Sequence, residues 1–299
     1  MPNLCAVYRL GLVPYTQAWE QQEQLAIQIA NGKHPPALLL LEHPPIFTFG
    51  RRGKLRNLLW DEQECSRRGV EILWVDRGGD VTYHGPGQLV GYPLLPLSPG
   101  GLYAGLPQNN TNGAAASLPK ADYVGYIRKL EETLILALAR LGIPSGQIAG
   151  KTGVWVQPDV HSRCRHCAPQ DRKLPAKIAA IGVKVDARGV SRHGFALNVN
   201  PDMSFYEGII SCGLADLPVA SLADIMQPVP PMEEVEQRLT AAFAELFGYE
   251  IVAGEPEVML VGDNKLLSIQ SYQDCSSQSP QPEHHPDPVP LFIAPVGQG

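Results

Sequence analysis

The chain has 299 residues, 24 lysines and arginines against 30 aspartates and glutamates, and a formal net charge of −6. With 44% hydrophobic and 18% charged residues it can bury a sizeable core, and its acidic balance argues against a nucleic-acid partner. The start lacks a basic region followed by an apolar run, and the apolar stretches are too short to span a bilayer, so no membrane association is expected and the cytoplasm is the expected location.

The six cysteines, Cys5, Cys65, Cys164, Cys167, Cys212 and Cys275, are too sparse for a secreted disulfide framework and read as free thiols. In chain order, Val7 to Val13 reads as a strand and Thr16 to Asn31 as a helix that stops at Gly32. Ala37 to Phe49 reads as two buried strand segments, because Pro44-Pro45 would remove two backbone donors from a helix. A helix over Trp60 to Arg68 and a strand over Val70 to Val75 lead into a glycine-rich segment, followed by a strand over Leu89 to Leu97.

Ser98 to Pro119 carries no charge and reads as an inserted loop. Asp122 then caps an amphipathic helix with Tyr123, Ile127, Leu130, Leu134, Leu138 and Leu141 on one face. Strands are expected over Lys151 to Gln157, Lys177 to Val185 and Phe195 to Val199, with a polar insertion from Pro158 to Pro175, and a last helix over Glu233 to Phe247. This irregular interleaving predicts an α+β fold, a mixed β-sheet domain with packed helices, over residues 1–270, and a disordered tail over 271–299 rich in Ser, Gln, Pro and His.

Five glycines between Arg77 and Gly91, together with Thr82, Tyr83, His84 and Gln88, point to a backbone that approaches a ligand closely rather than to a plain turn. The string fits neither the phosphate-cradling loop nor the dinucleotide fingerprint. Lys177 at the head of an apolar strand would ordinarily be a surface cation, and Cys212 a small buried hydrophobe. Together they become chemically interesting, since a nearby cation favours the thiolate of a nucleophilic cysteine. Spacing alone leaves open whether they meet.

The segments Arg77 to Val90, Lys177 to Val183, His193 to Val199 and Cys212-Gly213, in that order, resemble the octanoyltransferases of lipoate biosynthesis over about Leu4 to Ile251. The resemblance implies a fold similar to the catalytic domains of biotin and lipoate protein ligases. It also implies transfer of octanoyl from octanoyl-acyl carrier protein to the lysine of lipoyl domains, those of 2-oxoacid dehydrogenase acyltransferase subunits and of the glycine cleavage H protein. By position, Cys212 matches the acyl-thioester nucleophile and Lys177 the lysine that favours its thiolate. Arg77, Gly78, Gly79, Asp80, Val81, Thr82, Tyr83 and His84, then Ala180, Ile181 and Gly182, then Gly194, Phe195 and Ala196, match the substrate-binding stretches. No cofactor and no metal is called for.

Thioester exchange needs no external energy source, and amide formation is downhill. The acceptor lysine must lose a proton, and Lys177, the departing Cys212 thiolate and His84, whose imidazole is expected to titrate in the working range, are all candidates. Gly182 and the glycines after Arg77 are the expected oxyanion donors. About six buried methylenes at roughly 0.8 kcal/mol each would give on the order of 5 kcal/mol of preference over very short chains. Arg51, Arg52, Lys54 and Arg56 are candidate docking charges for acidic partners, although a solvated loop explains them equally well.

Two rivals remain. An ATP-dependent lipoate or biotin-type ligase would carry His-Asp after its glycine-rich segment, whereas His84 is followed by Gly-Pro-Gly-Gln. A zinc-binding regulatory protein could be built on Cys164 and Cys167, but one Cys-x-x-Cys supplies two thiolates, so His161 and His166 or distant ligands would be needed.

Overall fold

The computed structural model describes residues 3–97, 122–164, 167–213 and 217–254, and of Cys212 the backbone alone. The chain divides into the units Met1–Met259 and Leu260–Gly299, and all described residues lie in the first. The expected loop at 98–119 and the expected tail fall outside the described residues.

Eleven strands are described: β1 (Leu4–Leu12), β2 (Ala37–Glu42), β3 (Ile46–Phe49), β4 (Glu71–Trp74), β5 (Val81–His84), β6 (Gln88–Leu94), β7 (Gly146–Ile148), β8 (Lys151–Val156), β9 (Ala176–Val185), β10 (Ser191–Asn198) and β11 (Glu250–Ala253). The helices are α1 (Tyr15–Ala30), α2 (Glu62–Arg67), α3 (Tyr123–Arg140), α4 (Pro158–His161), α5 (Leu222–Ile225) and α6 (Met232–Phe247). An eight-stranded sheet runs β11-β1-β2-β6-β10-β9-β8-β7, and a three-stranded sheet runs β4-β3-β5. Within the large sheet β11, β1 and β2 are parallel and the remaining pairs antiparallel. The expected mixed α+β architecture is what forms.

The run Leu38 to Leu41 needs every residue to be apolar because both faces of β2 are covered. Leu38 and Leu40 join the core under α3 and α6, whereas Leu39 and Leu41 join the core under α1. Pro44-Pro45 ends β2, and the chain restarts as β3 in the small sheet, packed with Tyr83, Val81 and Ile209. One end of α3 follows its sequence signal, since the Asp122 carboxylate accepts from the Gly125 N–H at 2.8 Å. Its apolar seam starts later than expected: Tyr123 is 50% exposed, whereas Tyr126 is buried. A helical side chain covers the turn before its own Cα, so at the first turn Tyr123 overhangs the core. α6 stops where Gly248 takes φ +69°, donating its N–H to Ala244 O at 2.9 Å.

The insertion 158–175 is ordered where described, with α4 followed by a 3-10 turn at Asp171–Lys173. The expectation that all cysteines are free fails here: Cys164 and Cys167 form a disulfide, while Cys5 and Cys65 are free. A turn brings two thiols three residues apart to bonding distance, which counting cysteines does not reveal. Among the described residues no helix is long and apolar enough to cross a membrane.

Candidate active site

After β4 the chain turns through Asp76 and Arg77 into the glycine-rich segment, and neighbouring strands pin it from both sides. The buried Arg77 guanidinium donates from Nη2 to Thr48 O at 2.5 Å and Thr48 Oγ1 at 2.9 Å, and from Nη1 to Gly78 O at 3.0 Å. Arg51 and Arg52 donate their N–H groups to Arg77 O and Gly79 O, each at 3.0 Å, and Gly78 donates to Val183 O on β9 at 3.0 Å. The Gly78 N–H is therefore spent on the fold, which removes it from the expected oxyanion donors.

Glycine at 182 is a condition of this crossing, because a Cβ there would sit 2.9 Å from Gly78 O and 3.1 Å from Arg77 Cδ. Gly182→Ala is expected to push the Arg77 segment outward and lower acyl-transfer kcat/KM by about 100-fold while the thermal melt remains cooperative. Steady-state transfer assays beside a melting curve measure both.

Between this segment and the middle of the large sheet lies a cleft that is partly open to solvent. Eleven of the expected substrate-binding residues line it: Arg77, Gly79, Asp80, Thr82, His84, Ala180, Ile181, Gly182, Gly194, Phe195 and Ala196. Gly78, Val81 and Tyr83 do not; Val81 and Tyr83 turn into the core of the small sheet with Phe47 and Phe49. That division follows strand alternation, which sends Thr82 and His84 one way and Val81 and Tyr83 the other. The Thr82 hydroxyl is buried without a hydrogen-bond partner among the described residues, leaving a polar contact for a ligand in the cleft.

Sequence reasoning missed Tyr15, Tyr92 and His193, which also line the cleft, and His43 and Asp76 behind them. His43 is fully buried, donates from Nδ1 to Val13 O at 2.6 Å and accepts at Nε2 from the Tyr92 hydroxyl at 2.7 Å. The His193 Nε2–H donates to Asp76 Oδ1 at 2.7 Å, and its Nδ1 faces the Tyr15 hydroxyl at 3.3 Å. His193 has φ +56°, a left-handed conformation rare outside glycine, held by the bond of its N–H to Gln22 Oε1 at 2.6 Å and by Asp76. The available clue was position, since Asp76 abuts the glycine-rich segment and His193 opens the segment His193 to Val199.

Burial dominates the electrostatics. It lowers the pKa of His43 to about 4 and of His193 below its ordinary value, the latter against the pull of Asp76. For His84, burial and then the charges of His43 and Arg77 push the pKa well below the ordinary imidazole range, and its Nδ1–H donates to Gln88 Oε1 at 2.7 Å. His84 is thus a neutral imidazole through the working range, which corrects the expectation that it titrates there. Burial alone would raise the Asp76 pKa, but hydrogen bonds from His193 and Lys184 and the charges of His193 and Arg192 hold it well below the usual carboxylate range.

Lys177 lies outside the cleft lining, three residues before Ala180 on β9. A register shift between β8 and β9 changes which way it points: Trp155 pairs with Lys177 while Val154 pairs with Ala179, so β9 holds one extra residue. Beyond the shift Ile181, Val183 and Val185 face the helix-side core; before it Ala176 and Ile178 do. The bulge therefore turns Lys177 to the same sheet face as Ala180 and Gly182. There it is 6% exposed, with Nζ 4.8 Å from the centre of the Trp155 ring.

The backbone of Cys212 lies in the 3-10 turn Ser211–Gly213. Ile210 N–H donates to Asn57 O at 2.8 Å, and a Cβ on Gly213 would lie 3.1 Å from Asp80 Oδ2, so the turn sits against the cleft residue Asp80. Asp80 is fixed in turn by Asn57 Nδ2 at 2.6 Å and by the Val81 N–H at 2.7 Å. Farther along, Lys177 donates its N–H to Pro218 O and accepts from the Ala220 N–H, both at 2.9 Å. Residues 211–213 thus lie against the Asp80 rim of the cleft, and residues 218–220 pair with the backbone of Lys177.

This mixed sheet with a glycine-crossed cleft is the fold of the lipoate protein ligases: a bipartite ligase of Thermoplasma acidophilum superposes with TM-score 0.56 at 15% identity, covering 86% of this chain and 90% of that one. The chain belongs to the lipoyl protein ligase A/B catalytic domain family, whose model matches residues 14–244. The octanoyltransferase of Chloroflexus aggregans is 42% identical over 241 residues, covering 81% of this chain and 94% of that protein. The octanoyltransferase of Gloeobacter violaceus is 39% identical over 257 residues, covering 86% and 96%.

Proposed function

We propose that this protein is an octanoyltransferase of protein lipoylation, moving octanoyl from octanoyl-acyl carrier protein through a Cys212 thioester to the lysine of a lipoyl domain, in the cytoplasm. The observation that carries the reading is identity near 40% with octanoyltransferases over four-fifths of the chain. The cleft supports it, with Ala180, Ile181, Phe195 and Ala196 offering apolar wall to an acyl chain and the Thr82 hydroxyl, unpartnered among the described residues, offering a polar contact.

In the first step the Cys212 thiolate attacks the donor thioester carbonyl, the C–S bond to the carrier's pantetheine breaks, and the departing thiolate takes a proton from the Lys177 ammonium to leave as thiol, which leaves Lys177 neutral. Lys177 favours the thiolate, which for an unperturbed thiol is only a few per cent of the population at pH 7. In the second step the acceptor amine attacks, its proton passes to Lys177 or to the departing Cys212 sulfur, and an amide replaces the thioester. His84, neutral and bound to Gln88, serves better as a fixed wall than as the base. Arg51, Arg52, Lys54 and Arg56 are exposed on the loop that straps the Arg77 segment, a position suited to acidic carrier and lipoyl domains. The acceptors are the lipoyl domains of 2-oxoacid dehydrogenase complexes and the glycine cleavage H protein.

Intact-mass analysis of the protein mixed with octanoyl-carrier protein, without ATP, is expected to show one added octanoyl group, absent in Cys212→Ser, and transfer to a lipoyl domain on its addition. An adduct that survives Cys212→Ser, or transfer that requires ATP and free acid, overturns the proposal.

A further inference from the structure

The insertion between β8 and β9 carries a cluster that octanoyl transfer does not use. A ring nitrogen of His161 and the sulfurs of Cys164 and Cys167 all lie within 4.8 Å of one another. His161 and Cys164 are fully buried, and Cys167 is half-buried, which leaves one approach from solvent. The His161 ring is oriented by the Leu174 carbonyl, which accepts from Nδ1 at 3.0 Å. That bond fixes the tautomer with the proton on Nδ1, so the lone pair is on Nε2. Nε2 is buried with no hydrogen-bond partner among the described residues.

A buried imidazole nitrogen left with an unused lone pair beside two sulfurs is costly unless something accepts that pair. A histidine whose second ring nitrogen is tied to a backbone carbonyl is the arrangement that supports metal ligation. The Cys167 N–H also donates to Cys164 Sγ at 3.0 Å, a contact that favours charge on that sulfur, and Arg172 Nε holds Cys167 O at 2.9 Å, closing the loop.

We infer that in its reduced form this loop is a zinc site, with His161 Nε2, Cys164 Sγ and Cys167 Sγ as ligands. Nitrogen and thiolate donors suit Zn2+; around a tetrahedral ion the two sulfurs, freed from the disulfide, separate to roughly 3.8 Å, and the imidazole nitrogen already lies within 4.8 Å of both. The disulfide is the metal-free alternative of the same pair. A phosphine reductant supplies the two electrons that break the S–S bond and is itself oxidised, and two protons give two thiols. Zn2+ then displaces those protons and takes both thiolates and the imidazole lone pair. Because Leu174 lies three residues before Lys177, the bound ion would staple the entry of β9 to α4.

The test uses the full chain, stripped with a chelator and titrated with Co2+ as probe, with and without a phosphine reductant. Reduced wild-type protein is expected to bind one Co2+ per chain with intense thiolate-to-cobalt absorption, reversed by Zn2+. The unreduced protein should bind none, a comparison that needs no variant. His161→Ala is expected to weaken binding by about 100-fold, and Cys164→Ser with Cys167→Ser to abolish it. Failure of the reduced wild type to bind, bands without thiolate character, or equal binding by the double variant would overturn the inference.

Discussion

Lys177→Met is expected to lower octanoyl transfer by about 100–1,000-fold, the range in which a positioned proton-transfer or charge-stabilising group acts, without unfolding the protein. Methionine keeps most of the stem that lies along Trp155 and removes the ammonium. The buried Glu131 carboxyl stays tied to the Gly153 N–H at 2.9 Å, so its main hydrogen bond survives the change. Lys177→Arg separates the two tasks assigned to the amine. A guanidinium keeps the positive charge but cannot give up a proton. Acylation of Cys212, read by intact mass, should therefore persist at a reduced rate in Lys177→Arg while transfer to the lipoyl domain falls as far as in Lys177→Met. Retention of both half-reactions in Lys177→Arg would confine the lysine to thiolate stabilisation. Wild-type rates in Lys177→Met would remove it from the chemistry.

Acid destabilisation with an onset near pH 6.5 is the second expected result. His43, His84 and His193 all have folded pKa values below the unfolded value of about 6.5. Between the two values the unfolded chain binds protons that the folded chain does not, so stability rises with pH and is lost as pH falls. For His43 the window runs from 6.5 down to about 4, and that difference corresponds to about 3 kcal/mol. Asp76 is depressed, so its contribution is complete above the unfolded carboxylate value and is lost only at lower pH. Urea melts at pH 7.5, 6.5, 5.5 and 4.5 should show a steadily falling midpoint, and His43→Gln should flatten part of that slope. A midpoint independent of pH between 7.5 and 5 would mean that the histidines are not held neutral. Activity should follow the same limb, since protonation would place new positive charge beside Arg77 in the cleft.

Periodicity alone located the strands and helices of the core, because burying Leu38 to Leu41 on two faces, or Leu130, Leu134 and Leu138 on one, demands those spacings. The three-residue β7, the four-residue β11 and β5, which lies inside the glycine-rich segment, were not legible as strands, nor were the four-residue α4 and α5 as helices. The cluster of glycines with Arg77, Thr82 and His84, and the later Gly182 and Gly194, also announced a cleft, since glycine is required where backbones cross within the space of a Cβ. The partners of that cleft were not readable. Tyr15, His43, Asp76, Tyr92 and His193 come from separate segments, and sheet pairing over long sequence distances brings them together. Their protonation is likewise a property of the assembled interior: the same imidazole that titrates near neutrality in water stays neutral once buried. A single extra residue in β9 decides that Lys177 shares a sheet face with Ala180 and Gly182, and bulges depend on how two strands register. Residue type and order thus determined which chemical groups the chain owns. Burial and register, which exist only after folding, decided which of them meet and in what charge state.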